Sequence, residues 1–253
     1  MSEPSRMAAK LAVYLLPAIL VAGALRLWGS DLRALVVRIY RGGPRTVDSV
    51  NFTFTLPDRL WQKELPDWTE AMLAELVEHG KPLGFHAPPA KLQIVVIDGP
   101  IAPAFNAKEN SITLRKTDKP QDARVILSNL LTRALLHQAG PPDAAWSPWF
   151  EEGLATYFQS DAEIMGSRKP DLIREAARLD PMDLSTLLRG SSSTSPGFSA
   201  AGHSLVAYLY TDHREDRIKE YVAEERHPGP VVPGAFERIF GPDVEKEWKK
   251  SLK

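Results

Sequence analysis

No cysteine occurs anywhere in the chain, so disulfides, iron–sulfur clusters and thiolate zinc sites are excluded, although this absence chooses no compartment. An excess of charge of either sign is missing too, since 31 Lys and Arg stand against 32 Asp and Glu. A nucleic-acid partner held by bulk positive charge is therefore not expected. The Gly-x-Ser-x-Gly elbow is absent, which speaks against a Ser-His-Asp hydrolase. There is no internal repeat. Also lacking is an apolar run of the ~20 residues that usually span a bilayer. The nearest approach is Leu11 to Leu25, preceded by Arg6 and Lys10 and ending in the small-x-small step Ala22-Gly23-Ala24.

A basic start, a short apolar core and a small-residue exit suit a secretory signal peptide. The competing reading is a retained anchor reaching through Leu27 and Trp28, which has to accommodate Pro17 and Arg26. A buried soluble helix is the third. Arg26, Arg33, Arg38, Arg41 and Arg45 all follow the run, so a retained anchor would favour a cytoplasmic main domain. Residues 1–28 are thus expected to engage the membrane as a signal peptide or anchor. The chain would then be membrane-anchored or exported to the cell envelope or periplasm, with its orientation open. Residues 29–47 end in Gly42-Gly43-Pro44 and read as a linker.

The rest has the material for a substantial core, with 43% hydrophobic residues overall. Val50, Phe52, Phe54 and Leu56 alternate with polar residues as in a half-buried strand. Trp68, Met72, Leu73, Leu76 and Val77 recur at helical spacing, and Gly80 with Pro82 stops that helix. Further strands are expected at Leu92–Ile97 and, after a loop of small residues, at Ser111–Leu114. Beyond residue 120 the pattern is helical, over 121–138, 148–159, 170–178, 198–212 and 214–225, with short pieces around Phe236 and Trp248. Strands early and helices late predict an α+β fold, with a small N-terminal sheet region followed by a mainly helical C-terminal half.

The most specific stretch is Trp149-Phe150-Glu151-Glu152-Gly153-Leu154-Ala155-Thr156-Tyr157-Phe158, downstream of an amphipathic helix. Here the chain resembles the gluzincin metallopeptidases, in particular the bacterial peptidase-MA-like domains, in which an HExxH helix is followed by a helix carrying W-[LF]-x-E-G-L-A-x-Y-[FL]. The likeness runs from the first strand to the C-terminus and takes in Gly202-His203-Ser204-Leu205 and Phe236-Glu237-Arg238-Ile239-Phe240. It implies a zincin-like domain over 48–253. In such a site two His at i and i+4 and a Glu from the next helix hold Zn²⁺, and the Glu after the first His is the general base. Glu152 matches the third ligand. The family register lays HExxH onto Asn129-Leu130-Leu131-Thr132-Arg133, so each position that carries chemistry is changed. Asn129 is a poor ligand, Leu130 accepts no proton, and Arg133 has no lone pair to offer.

The resemblance therefore implies a degenerate site at Asn129, Leu130, Arg133 and Glu152, with Glu151, His137 and His203 as cleft neighbours. In family members a helix near the cleft often starts with a Tyr, and here the nearest aromatic is Phe198, which has no hydroxyl. The expected protein is a pseudopeptidase without catalysis or cofactor, using the old cleft for a peptide or protein ligand. Two alternatives stay open: an active zinc peptidase with His137, Glu152 and His203 as ligands, and an envelope structural or assembly protein. On the residues alone, Ser128, Asn129, Thr132 and Arg133 read as the solvated face of a helix whose core face is Val125, Leu127, Leu131, Ala134 and Leu135. Trp149, Tyr157 and Phe158 read as core.

Overall fold

Phe52, Phe54 and Leu56 lose all contact with solvent while Thr53 and Thr55 between them do not, the period-two burial of a strand with one face on a core. The computed structural model describes residues 44–140, 146–158, 182–189, 196–211, 215–226 and 234–252. Five strands form one sheet: β1 (Arg45–Asp48), β2 (Phe52–Leu56), β3 (Leu92–Ile97), β4 (Ala104–Asn106) and β5 (Ser111–Arg115), in the order β1-β2-β3-β5-β4. Helix α1 (Arg59–His79) crosses over between β2 and β3, so those strands pair in parallel, as β3 and β5 do. The outer strands β1 and β4 run antiparallel to their neighbours. Phe54 pairs with Ile94 and Ile94 with Ile112, which lines up one apolar row across the three central strands.

After the sheet the described chain is helical: α2 (Arg124–Ala139), α3 (Pro148–Tyr157), α4 (Leu184–Arg189), α5 (Pro196–Thr211), α6 (Glu215–Glu225), α7 (Ala235–Phe240) and α8 (Val244–Ser251). A small sheet on the N-terminal side with a mostly helical remainder is the architecture that the early strands and late helices predict.

Several boundaries differ from expectation. Strand β1 takes Arg45–Val47 from the expected linker into the sheet. Short edge strands leave little periodicity to read, and β4 was hidden in the same way. Val50 is 82% exposed in the β1–β2 turn rather than in the strand. The turn is held by Glu70 of α1, which accepts from the Ser49 hydroxyl, the Asn51 backbone N–H and the Asn51 amide. Desolvation alone would raise the Glu70 pKa, but these donors outweigh it and hold the carboxyl below its usual value. Helix α1 begins at Arg59, well before Trp68, because the Asp58 carboxylate caps the N–H groups of Leu60 and Trp61. Pro66 lies inside that helix and masks its early turns in the sequence. It ends at Gly80 as expected, with the Gly80 N–H bonded to the Leu76 carbonyl. The segments expected at residues 1–28, in the rest of the linker through residue 43 and as a helix at 170–178 lie outside the described residues. Among the described residues, no helix is long and apolar enough to cross a membrane.

Candidate functional site

Helix α2 is the buried half of the site. Half of its expected solvated face is not solvated: Ser128 and Thr132 are buried, and so is Leu130 on the far side. The Thr132 hydroxyl returns to the Ser128 carbonyl at 2.9 Å, and the Ser128 hydroxyl donates to the Phe158 carbonyl at the end of α3, also at 2.9 Å. Hydroxyls can mimic a solvated face in sequence while being satisfied internally, because each finds a backbone acceptor. Asn129 and Arg133 are the polar side chains left half-exposed in this stretch. Because Arg133 meets Glu151 and Glu152 while Ser128 meets Phe158, α2 and α3 run antiparallel along their contact.

Helix α3 is held firmly at its start. Pro148 occupies the first turn, where its missing N–H costs nothing. Just before it, Ser147 gives its backbone N–H and hydroxyl to the buried carboxylate of Glu225 on α6, at 3.0 and 2.6 Å. The Tyr221 hydroxyl donates to the same carboxylate at 2.6 Å, and burial with the Glu225 charge pushes the Tyr221 pKa far upward. Trp149 and Phe150 pack against Tyr221, and Trp149 also stands edge-on to Phe236 of α7 at 5.5 Å. Gly153 then brings α3 against α5 at backbone distance. A methyl group there would lie 2.6 Å from the Gly202 carbonyl oxygen and 2.8 Å from a Val206 methyl. So the glycine of the Glu-Gly-Leu-Ala stretch is needed for a helix crossing, while the carboxylates beside it turn toward α2.

There the Arg133 guanidinium divides its fork. One nitrogen, Nη1, donates to Glu151 Oε1 at 2.7 Å, the other, Nη2, donates to Glu152 Oε2, and Nε donates to Asn129 Oδ1 at 3.0 Å. Arg133 and Glu152 come together, as the resemblance implies, and the fork is shared with Glu151. Asn129 accepts rather than donates, since a guanidinium offers only donors. Ser199 of α5, which sequence reasoning missed, donates to the other oxygen of Glu152 at 2.8 Å. Its helical spacing from His203, four residues on, was the available signal. The side chains of Arg133 and Glu152 are 24% and 14% exposed, and that of Glu151 is 36% exposed. Burial alone would lower the Arg133 pKa. The carboxylates of Glu152 and then Glu151 outweigh it and raise the value, so the cation persists.

The remaining neighbours are dispersed. His203 is buried with its ring centroid 6.2 Å from that of Tyr157, whereas His137 is exposed and stands edge-on to Phe105 of β4 at 5.9 Å. Among the described residues, no three His, Asp or Glu side chains gather to hold a metal ion, and His137, Glu152 and His203 form no such group. Zinc does not fit the donors at Arg133 either. A guanidinium has no lone pair, it already occupies both glutamates, and Leu130 is an apolar buried side chain. Trp149 is core as expected, and Tyr157 and Phe158 pack against the core while keeping part of their surface exposed. No family model matches the chain, and no curated protein matches it.

Proposed function

We propose that this chain is a catalytically inactive, zincin-like relative of the gluzincin metallopeptidases, in which an arginine ties together the two helices that a zinc ion would otherwise join. One observation carries the reading: Arg133 of α2, which the resemblance aligns with the second His, bonds Glu152 of α3, which it aligns with the third ligand, and Glu151 beside it. A bidentate or shared guanidinium–carboxylate contact fixes orientation as well as distance, as a coordination sphere does. With no general base at Leu130 and no lone pair at Arg133, the helix pair lacks the groups by which a zincin activates water. What remains is a shaped surface for a peptide or protein, presented at the membrane or in the envelope by the N-terminal segment.

The test is a reconstruction. Asn129→His, Leu130→Glu and Arg133→His together restore the HExxH pattern in the proposed register. The folded triple variant is expected to bind zinc stoichiometrically through dialysis, and the wild type is not. A well-folded triple variant without zinc affinity counts against the register. A chelator-sensitive peptidase activity in the wild type overturns the pseudoenzyme reading and favours unorthodox ligands.

A further inference from the structure

A cleft lies away from the Arg133 cluster, about 9 Å along α3 from Glu151 by helix rise. It has a volume of about 790 Å³ and is bounded by the end of α1 and the turn after it, the ends of α3 and α5, and one face of α6. Its size falls within the ~300–1,000 Å³ of typical small-molecule sites. We propose that this cleft binds a small aromatic phosphate, a planar ring carrying a dianionic group, of which a nucleoside monophosphate is one form.

The wall of the cleft is aromatic and built in advance. Tyr157 and Tyr210 stack with centroids 4.8 Å apart and planes at 25°, and Phe158 stands nearly perpendicular to both, at 74° and 83°. The three rings brace one another, and Phe158 is further backed by Phe85 at 6.0 Å. Trp149 and Phe150, nearer the start of the same helix, close off at 1% and 2% exposure. Here three adjacent rings pack against the core yet keep part of their surface open, and they line a concavity. A planar apolar ligand would bury them further at little ordering cost.

The rim carries Lys81, Lys219 and His79 beside one carboxylate, Glu78. The two lysines pair with Glu78 and Asp216, but these are near neighbours in sequence with widely exposed side chains, 62% and 68% in one pair, 52% and 97% in the other. Pairs of that kind hold weakly and leave each ammonium free to turn toward a better anion. Behind the turn that carries Lys81, Arg226 donates Nη2 to the Leu83 carbonyl at 2.7 Å and pairs with no carboxylate among the described residues. Its positive charge is therefore not cancelled locally. Two mobile ammonium groups backed by a fixed guanidinium suit a dianion better than a neutral or singly charged group.

Titration calorimetry on the full chain tests this with adenosine monophosphate, phenyl phosphate, adenosine and inorganic phosphate as separate probes. Both ring phosphates are expected to bind, and adenosine or inorganic phosphate alone at least about tenfold more weakly, because neither engages wall and rim together. The double variant Lys81→Met/Lys219→Met should weaken binding of the ring phosphates by about tenfold while leaving the fold unchanged, since both side chains are exposed. The Asn129/Leu130/Arg133 triple variant should bind them as the wild type does, which separates this proposal from the pseudopeptidase reading. Absence of ring-phosphate binding overturns it. So does affinity that ignores both lysine substitutions, or capture of an acidic aromatic peptide in place of the phosphates.

Discussion

Against α5, helix α3 presents bare backbone at Gly153, which meets Gly202 with no side chain between them. Against α2 it presents Glu151 and Glu152, which meet a cation. The first interface is dry and depends on shape, so a single added carbon is felt at once. The second is partly open and depends on charge, so its net worth is the small difference between attraction and desolvation. One helix thus carries a rigid face that sets its position and a polar face whose chemistry is free to change. The α3–α5 contact holds the glutamates in place whatever side chain of α2 meets them.

The largest effect should come from the glycine crossing. Gly153→Val puts its Cβ against a carbonyl that has no flexible end to yield, and should cost about 3 kcal/mol or more. Gly202→Ala, whose new carbon would lie 3.0 Å from the Trp149 carbonyl, should cost about 1 kcal/mol. Urea denaturation measures both, and equal losses at the two sites would break the picture of Gly153 as the tighter contact.

Next comes Arg133→Ala, which leaves Glu152 mostly buried without its counter-charge, at about 2 kcal/mol. A double-mutant cycle with Glu152→Gln should recover a coupling of about 1 kcal/mol, and a coupling of zero would mean that the two helices do not depend on the pair. Ser199→Ala removes a hydrogen bond to the other Glu152 oxygen and should cost about 1 kcal/mol in wild type. The loss should shrink in the Glu152→Gln background, which sharpens the claim that Ser199 acts through Glu152. Smallest of all, Glu151→Gln should change stability by about 0.5 kcal/mol and lose even that in 0.5 M salt, because its side chain is over a third exposed. A salt-independent loss larger than that of Arg133→Ala would reverse the roles assigned to the two glutamates.

Acid offers a control outside this comparison. The Glu70 carboxyl has a lowered pKa in the folded protein, so its contribution is complete above the unfolded value of 4.5 and fades as pH falls through the lower folded value. Glu70→Gln should flatten the stability–pH curve in that window, and an unchanged curve would remove Glu70 from the account of the β1–β2 turn.

Much of the element order was legible because long, one-sided patterns carry their own period. Phe52-x-Phe54-x-Leu56 announces a strand, and Trp149 to Phe158 announces a helix with its charges beside a glycine. Strands β1 and β4 were not legible, since a few exposed residues at a sheet edge have no burial to record. Ser128 and Thr132 misled for a different reason: a hydroxyl bonded to a carbonyl is as buried as a methyl group, and sequence shows the polarity but not the partner.

By itself the sequence determined the alternation of the central strands and the stop of α1 at Gly80, each of which rests on local spacing, while the meeting of Arg133 with Glu152 was implied only by the resemblance. Only the tertiary structure decided that β2, β3 and β5 pair in parallel, that Glu151 takes half of the Arg133 fork, that Ser199 completes Glu152, and that Gly153 rests on Gly202. These are contacts between residues far apart in the chain, and what selects them is the close packing of whole elements, in which a missing Cβ on one helix is answered by a missing Cβ on another.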